Sequence, residues 1–340
     1  ITYSIDVSSS IEGLVQAEVS AQKANFYTII FKDSDGDIKE SNPEGEASHI
    51  FTKSGTYAII FRAHTIETAY IEAIDSVTIV VDETNLSGNP PTSGYSTPLT
   101  YSGYTMVWND EFDGTSLNTQ DWNFELGTGN NGWGNNELQY YLKENTTIKN
   151  GVLTITAKKQ TVNTNLYSSS RITTQGKKSF KYGRIDIRTA LPIGQGMWPA
   201  LWMLGDNIST IGWPKCGEID IMELVGGKSA GKSDRTVHGT VHWDNNGSKA
   251  EYGSSNTLPN GDFSDEWHVF SLVWDDKSIK WYRDDIQYNV IDITGSALSE
   301  FQEKFFFIFN VAVGGNWPGD PDETTQFPQS MHVDYIRVFQ

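Results

Sequence analysis

The chain has 340 residues, 37% of them hydrophobic and 12% aromatic, which supports sizeable cores in two domains and argues against disorder. A formal net charge of −18 would repel a phosphate backbone or an anionic membrane, so nucleic acid and membranes are excluded as partners. No run of about 18 apolar residues occurs, the opening "ITYSIDVSSS" lacks a basic end or apolar leader, and the single Cys216 leaves no internal disulfide or cysteine-based zinc cluster.

Composition changes along the chain. Residues 1–90 contain no tryptophan and carry 14 Asp and Glu against 5 Lys and Arg, whereas all 11 tryptophans lie at or after Trp108. In the first part, "NFYTIIF", "SHIFT", "TYAIIFRA" and "SVTIVV" are β-branched and aromatic runs between turn residues, which predicts a small all-β sandwich. The stretch "GEASHIFTKSGTYAIIFRA" resembles the polycystic-kidney-disease-type (PKD) immunoglobulin-like modules that accompany secreted polysaccharide-degrading enzymes. That module's Trp-Asp-Phe-Gly-Asp-Gly signature is not intact; "FKDSDGD" stands roughly in its place, which leaves a binding role open. "DSDGDIKESNPE" sets Asp33, Asp35 and Asp37 at alternate positions with Glu44 twelfth, but Gly36 is fourth rather than sixth as a calcium-binding EF-hand loop needs. It is read as a turn between strands. The Gly-, Pro-, Ser- and Thr-rich stretch 82–103 contains the boundary, giving a module over 1–84, a linker over 85–97 and a larger domain over 98–340.

The larger part again reads as strands: "GVLTITAKK", "YGRIDIRTAL", "EIDIMEL", "TVHGTVHW", "WHVFSLVWDD", "SIKWYRDD", "FFFIFNVAV" and "HVDYIRVF". Many strands and little helix predict a two-sheet β-jelly-roll whose concave face cradles a linear ligand. Fold alone names no activity.

Chemistry concentrates in "EIDIMEL". Alternation points Glu218 and Asp220 to one face and Glu223, five residues on, to the other. One extra residue at Ile221–Met222, a β-bulge, would return Glu223 to its partners, with Met222 taken as the insertion. Two glutamates leaning over the aspartate would then bring their carboxyls to ~5–6 Å, the separation of a retaining glycosidase. Crowding makes one carboxyl hard to ionise, as a general acid requires, while another stays charged as nucleophile. Alternating acids are also ordinary on an exposed strand, so context decides. Trp198, Trp202 and Trp213 lie upstream, and His238, His242, Trp243 and Trp317 downstream. Tryptophan faces stack on the C–H faces of sugar rings, so several of them around a carboxylate row favour a sugar cleft. Trp108, Trp267, Trp274, Trp281 and His268 are assigned to the core or to structure.

"WNDEFDG", "WGNNELQYY", "GVLTITA", "YGRIDIRTALPIGQGMWPALWMLG", "GEIDIMELVG", "VHGTVHW" and "MHVDYIRVF" resemble, in order, glycoside hydrolase family 16 across nearly the whole second domain. The bulged acidic motif looks like its laminarinase branch. The resemblance implies Glu218 as nucleophile, Asp220 as its orienting partner and Glu223 as acid/base. It further implies Trp198 and Trp202 as sugar platforms, and Asn135, Arg171, His242 and Trp317 as cleft contacts. No cofactor is implied for catalysis. A structural calcium is, away from the cleft, held by the Asp334 side chain, Glu111 and the Gly151 carbonyl. The expected protein is a secreted or cell-surface bacterial endo-β-1,3-glucanase, monomeric, acting on laminarin with retention. A mixed-linkage β-1,3-1,4-glucanase or another family-16 polysaccharidase is the neighbouring enzyme reading, and a non-catalytic β-glucan-binding lectin the alternative of another class.

Overall fold

The computed structural model describes residues 1–7, 13–33, 36–51, 54–80, 89–228 and 231–340. It divides into two compact units, Ile1–Leu86 and Ser87–Gln340. Both are built of β-strands, and the only α-helix among the described residues is the single turn Ile208–Ile211.

The first unit is a sandwich of a three-stranded sheet (Thr2–Val7, Leu14–Ser20, Glu46–Ile50) and a four-stranded sheet (Gly36–Asn42, Phe26–Asp33, Gly55–Ile66, Ala69–Ile79). Strand alternation builds its core: Val15, Ala17 and Val19 from one sheet face Ile29, Phe31, Ile59, Phe61, Val77 and Ile79 from the other. Lys32 and Asp37 are ion-paired across the hairpin at "DSDGD", and Asp33 Oδ2 lies 2.6 Å from His49 Nε2. Asp33 and Gly36 pair as the ends of adjacent strands; Ser34 and Asp35, on which the reading of a turn falls, lie outside the described residues.

In the second unit two antiparallel sheets enclose one large core. The outer sheet runs in the order Thr146–Lys149, Val152–Ala157, Gln329–Phe339, Gly183–Ala190, His268–Trp274, Ser278–Arg283, Ile286–Asp292, with Met106–Asp110 also paired to Gln329–Phe339. The inner sheet runs Ser248–Thr257, Thr236–Asn245, Glu218–Leu224, Met197–Gly205, Phe305–Val313, Arg171–Thr173, Asn123–Glu125. Between them pack Phe305, Phe307 and Phe309, Met203, Leu272, Ile336 and Trp274. Every residue of "FFFIFNVAV" is buried, because on its second face Phe306 and Ile308 join a smaller cluster with Leu204 and Cys216, and Asn310 and Ala312 lie deep in a cleft. That explains an unbroken apolar run in an antiparallel strand, where one wet face is the usual pattern.

The stretch assigned to a linker differs from that reading over residues 91–97. Trp267 Nε1 donates to the Pro91 carbonyl, Gly94 bridges to Trp267, and Thr97 bonds the buried Tyr335 hydroxyl at 2.8 Å. A Cβ at Gly94 would stand 2.3 Å from Trp267 backbone atoms. Small and turn-forming residues here allow the chain to lie flat on the sheet rather than to span a gap. Trp267 accordingly sits with Val152 and Ala190 in a satellite cluster, apart from the main core.

Candidate active site

Period-2 alternation on the inner sheet sorts side chains between core and cleft. From Met197–Gly205, Met197, Leu201 and Met203 enter the core, while Trp198, Ala200, Trp202 and Leu204 line a cleft of about 970 Å³. Asn310 and Ala312 line it from the next strand, and Trp133, Trp213 and Trp317 from loops.

The acidic strand enters this cleft through an irregular register. Asp220 pairs Thr240 and Glu223 pairs His238, so Ile221 and Met222 together oppose the single Gly239. On the other side Met222 pairs Leu201 and Ile221 has no counterpart, which makes Ile221, rather than Met222, the extra residue of that ladder. Both side chains are core residues, and Glu218, Asp220 and Glu223 share the cleft face. The bulge is held from beneath. Trp281 Nε1 donates to the Asp220 carbonyl at 2.8 Å, the Tyr288 hydroxyl to the Ile221 carbonyl at 3.3 Å, and Asn289 Nδ2 to the Gly239 carbonyl at 3.0 Å. Fully buried Trp281 thus satisfies a carbonyl at the interrupted ladder while filling the core.

Each carboxylate of the row has its own neighbours. Trp213 Nε1 donates to Glu218 Oε2 at 2.9 Å and Trp198 Nε1 to Glu223 Oε1 at 2.9 Å. His242 Nε2 lies 3.2 Å from Asp220 Oδ2 and 3.6 Å from Glu218 Oε1. Burial, then the charge of Asp220, pushes the Glu218 carboxyl up to about 8, and the same two causes act on Glu223. Burial pushes Asp220 up to about 8 as well. The indole N–H groups and His242 oppose the rise at both glutamates. Ionising one member makes the next harder to ionise, so the protons leave in separate steps, and between those steps one carboxyl is charged while another keeps its proton. That is the condition for a carboxylate nucleophile beside a carboxylic acid.

A family model described as glycosyl hydrolases family 16 matches residues 133–337. The chain belongs to this family. It is 42% identical to the clotting factor G alpha subunit of Tachypleus tridentatus over 241 residues, covering 70% of this chain and 34% of that one. It is 37% identical to glucan endo-1,3-beta-glucosidase A1 of Niallia circulans over 272 residues, 73% of this chain and 39% of that relative. The chain therefore spans well under half the length of these two relatives. The solved laminarinase catalytic domain of Thermotoga maritima is 47% identical, with a TM-score of 0.63 over 70% of this chain and 98% of that domain.

Within the family-16 cleft, the remaining residues expected from sequence divide by environment. Trp317 is 38% exposed and meets Trp198 edge-on, with ring centres 5.7 Å apart. Trp202 Nε1 donates to Asn310 Oδ1 at 2.7 Å. Arg171 is buried, paired with Glu125 and clamped between the rings of Trp133 and Trp202 at 4.4 and 4.9 Å, so it builds the wall. Asn135 Nδ2 donates to Glu137 Oε1 at 3.1 Å. Glu137 also accepts from Gln139 and Tyr141, and burial pushes its carboxyl up. Trp108, Trp274 and Trp281 are core, and His268 is bound to Asp284 at 2.8 Å. Sequence reading assigned no role to Trp133, Lys249, Glu251 or Glu137, and named His238 only among the surroundings of the acidic row. Trp133 and Glu137 lay within the quoted "WGNNELQYY"; Lys249 and Glu251 lie in a stretch with no apolar alternation.

Two of the residues expected to hold calcium have side chains engaged by arginines. Both Glu111 carboxylate oxygens accept from Arg337 at 2.8 Å, and Asp334 Oδ2 accepts from Arg188 at 2.8 Å. A carboxylate held bidentately by a guanidinium does not fit as a calcium ligand. The Glu111 carbonyl oxygen does suit a hard cation, and it lies 3.9 Å from where a Cβ on Gly151 would stand. Among the described residues, the only set of three acid, histidine or cysteine side chains with ligand atoms all within 4.8 Å of one another is Glu218, Asp220 and His242, in the cleft itself.

Proposed function

We propose that the protein is a retaining endo-β-1,3-glucanase acting on laminarin-type glucans. The observation that carries this reading is the bulge, which turns three carboxylates into one row on the floor of a tryptophan-lined cleft. Glu218 is the nucleophile: its carboxylate oxygen bonds to the anomeric carbon as the glycosidic C–O bond breaks. Glu223 gives its proton to the departing oxygen. The resulting glucosyl ester on Glu218 is then attacked by water, from which the Glu223 carboxylate removes a proton, and Glu218 leaves as a carboxylate. Asp220 lies between the two and keeps charge low in the row. The Trp213 indole N–H steadies Glu218 as charge returns to it, and the Trp198 N–H fixes one Glu223 oxygen so that the other faces the leaving group. Trp198, Trp202 and Trp317 supply faces for successive glucose rings.

The first unit belongs to the proposal as a PKD-type module, and the protein acts outside the cell as a monomer. A structural calcium would be held by the Glu111 and Gly151 carbonyls with the Asp334 oxygen that Arg188 leaves, and would brace the strands there without entering the chemistry. Laminarin, lichenan, agarose and carrageenan assayed for new reducing ends test the substrate, and proton NMR of the first-formed anomer tests retention. Activity confined to lichenan would favour the mixed-linkage reading; binding without hydrolysis would favour a lectin.

A further inference from the structure

The edge strand Ser248–Thr257 brings to the rim of the cleft two charged side chains that the proposed chemistry does not use. Lys249 Nζ lies 2.8 Å from Glu251 Oε2, and the same oxygen lies 3.4 Å from His242 Nδ1. His242 Nε2 faces Asp220 and Glu218. Lys249 Nζ also stands 5.7 Å from the ring centre of Trp213, whose N–H holds Glu218. The contacts close a ring: Glu218, Trp213, Lys249, Glu251, His242 and back to Glu218.

Among the described residues, two buried atoms here have no aligned hydrogen-bond partner: His242 Nδ1 in the ring and Asp220 Oδ2 beside it. Their neighbours therefore act on them chiefly as charges. The groups facing the row are few. The acidic strand supplies Glu218, Asp220 and Glu223; its neighbour supplies His238 and His242; Cys216 lies beside Glu218. Met197–Gly205 and Phe305–Val313 contribute only neutral side chains. Among the described residues Lys249 is the one lysine lining the cleft; Arg171 is paired with Glu125, and Glu137, which also lines it, is held by Asn135, Gln139 and Tyr141.

We propose that Lys249 and Glu251 are positioning residues that set the charge state of the catalytic row, acting through His242 and across Trp213; this rests on reading Glu218 as the nucleophile. Lys249 favours ionised Asp220 and Glu223, and Glu251 opposes ionisation of Asp220. The two are therefore opposed controls on one row. Both side chains are substantially exposed, so replacing either leaves the fold intact.

The test is the pH profile of kcat/KM on laminarin. Because the three carboxyls titrate as one coupled row, Lys249→Met should move the profile to higher pH by about half a unit and Glu251→Gln should move it to lower pH by about as much, as expected for one charge acting at cleft distances through a largely aqueous path. Lys249→Arg should restore the parent profile. Opposite shifts are the signature of electrostatic control; a role confined to packing or sugar contact would change KM and leave both limbs in place. Superimposed profiles, or shifts in the same direction, overturn the proposal. Glu218→Gly supplied with azide and an aryl β-glucoside separates this from the reading beneath it. Formation of the α-glucosyl azide supports Glu218 as nucleophile, so that unshifted profiles then sink the ring alone. A folded variant giving no azide product overturns the nucleophile assignment.

Discussion

Gly239 is where the sequence of one strand decides the geometry of another. A Cβ added there would stand 2.5 Å from Trp281 Cδ1, 3.0 Å from its Cγ and 2.7 Å from the Tyr288 hydroxyl. Trp281 is fully buried in the main core, so the indole has no free volume to enter. Gly239→Ala must displace the ring or the strand. Overpacking of this kind costs ~1–3 kcal/mol. Losing the Trp281 bond to the Asp220 carbonyl and leaving that carbonyl unpaired adds ~1–2 kcal/mol. The expected total of ~2–5 kcal/mol corresponds to a fall in Tm of roughly 5–15 °C for a unit of this size. Because the displaced groups hold the backbone at Asp220 and Ile221, kcat on laminarin should fall at least ~10-fold at 25 °C, where the variant is still folded; misplacement of reacting groups by about 1 Å is enough for such losses. Differential scanning calorimetry and initial rates measure the two effects. Trp281→Phe separates them, since it keeps a ring under Gly239 but removes the N–H. A Gly239→Ala protein that melts within about 2 °C of the parent and turns over normally would refute the claim that the bulge is clamped from the core.

Glu218→Ser and Glu223→Ser are each expected to lower hydrolysis of laminarin by several orders of magnitude with unchanged circular dichroism. Glu223→Ser should retain more rate on aryl glucosides, whose leaving group needs less protonation; equal losses on both substrates would remove its acid role. The Glu223 carboxyl is raised to about 8 in the fold, against ~4.3 in an unfolded chain. Between those values the native state binds the extra proton, and stability falls as pH rises. Glu223→Gln should therefore raise Tm more at pH 8 than at pH 5, and an equal gain at both would show that burial is not what raises this carboxyl. Inserting one further residue between Ile221 and Met222 should turn Glu223 away from Asp220 and destroy activity in a folded protein; parental activity would contradict the facing argument. Chelation of calcium should lower Tm by a few degrees and leave kcat unchanged, and an unchanged melting curve would remove the structural calcium.

Much of this architecture was legible because antiparallel strands with one buried face write their orientation into the chain. "GRIDIRTA" and "HVFSLVW" alternate or cluster as a sheet face on a core must, and both are strands. Ser248–Thr257 was not legible. Its ten residues, "SKAEYGSSNT", include no alternating apolar set because both faces of this edge strand are largely exposed. The charged pair of the cleft rim was lost with it. Residues 91–97 were misread for a related reason. Pro, Gly, Ser and Thr describe a chain that forms no regular element, yet backbone bonds to Trp267 and the Thr97–Tyr335 contact fix it as firmly as a strand. Composition reports the absence of periodicity, not the absence of contacts.

The same alternation explains why the cleft could be recognised before its geometry was known. On a strand whose odd positions fill a core, an aromatic residue at an even position has no core to enter, so it must meet solvent or a ligand. Met197, Leu201 and Met203 take up the core, which leaves Trp198 and Trp202 on the open face. Large apolar faces left there are costly to hydrate unless something covers them. The acidic strand shows the converse. Its core positions are Ile219, Ile221, Met222 and Leu224, and the two adjacent ones break the period of two. A doubled core residue in an otherwise alternating strand therefore marks a bulge, and here it is what turns Glu223 onto the face of Glu218 and Asp220.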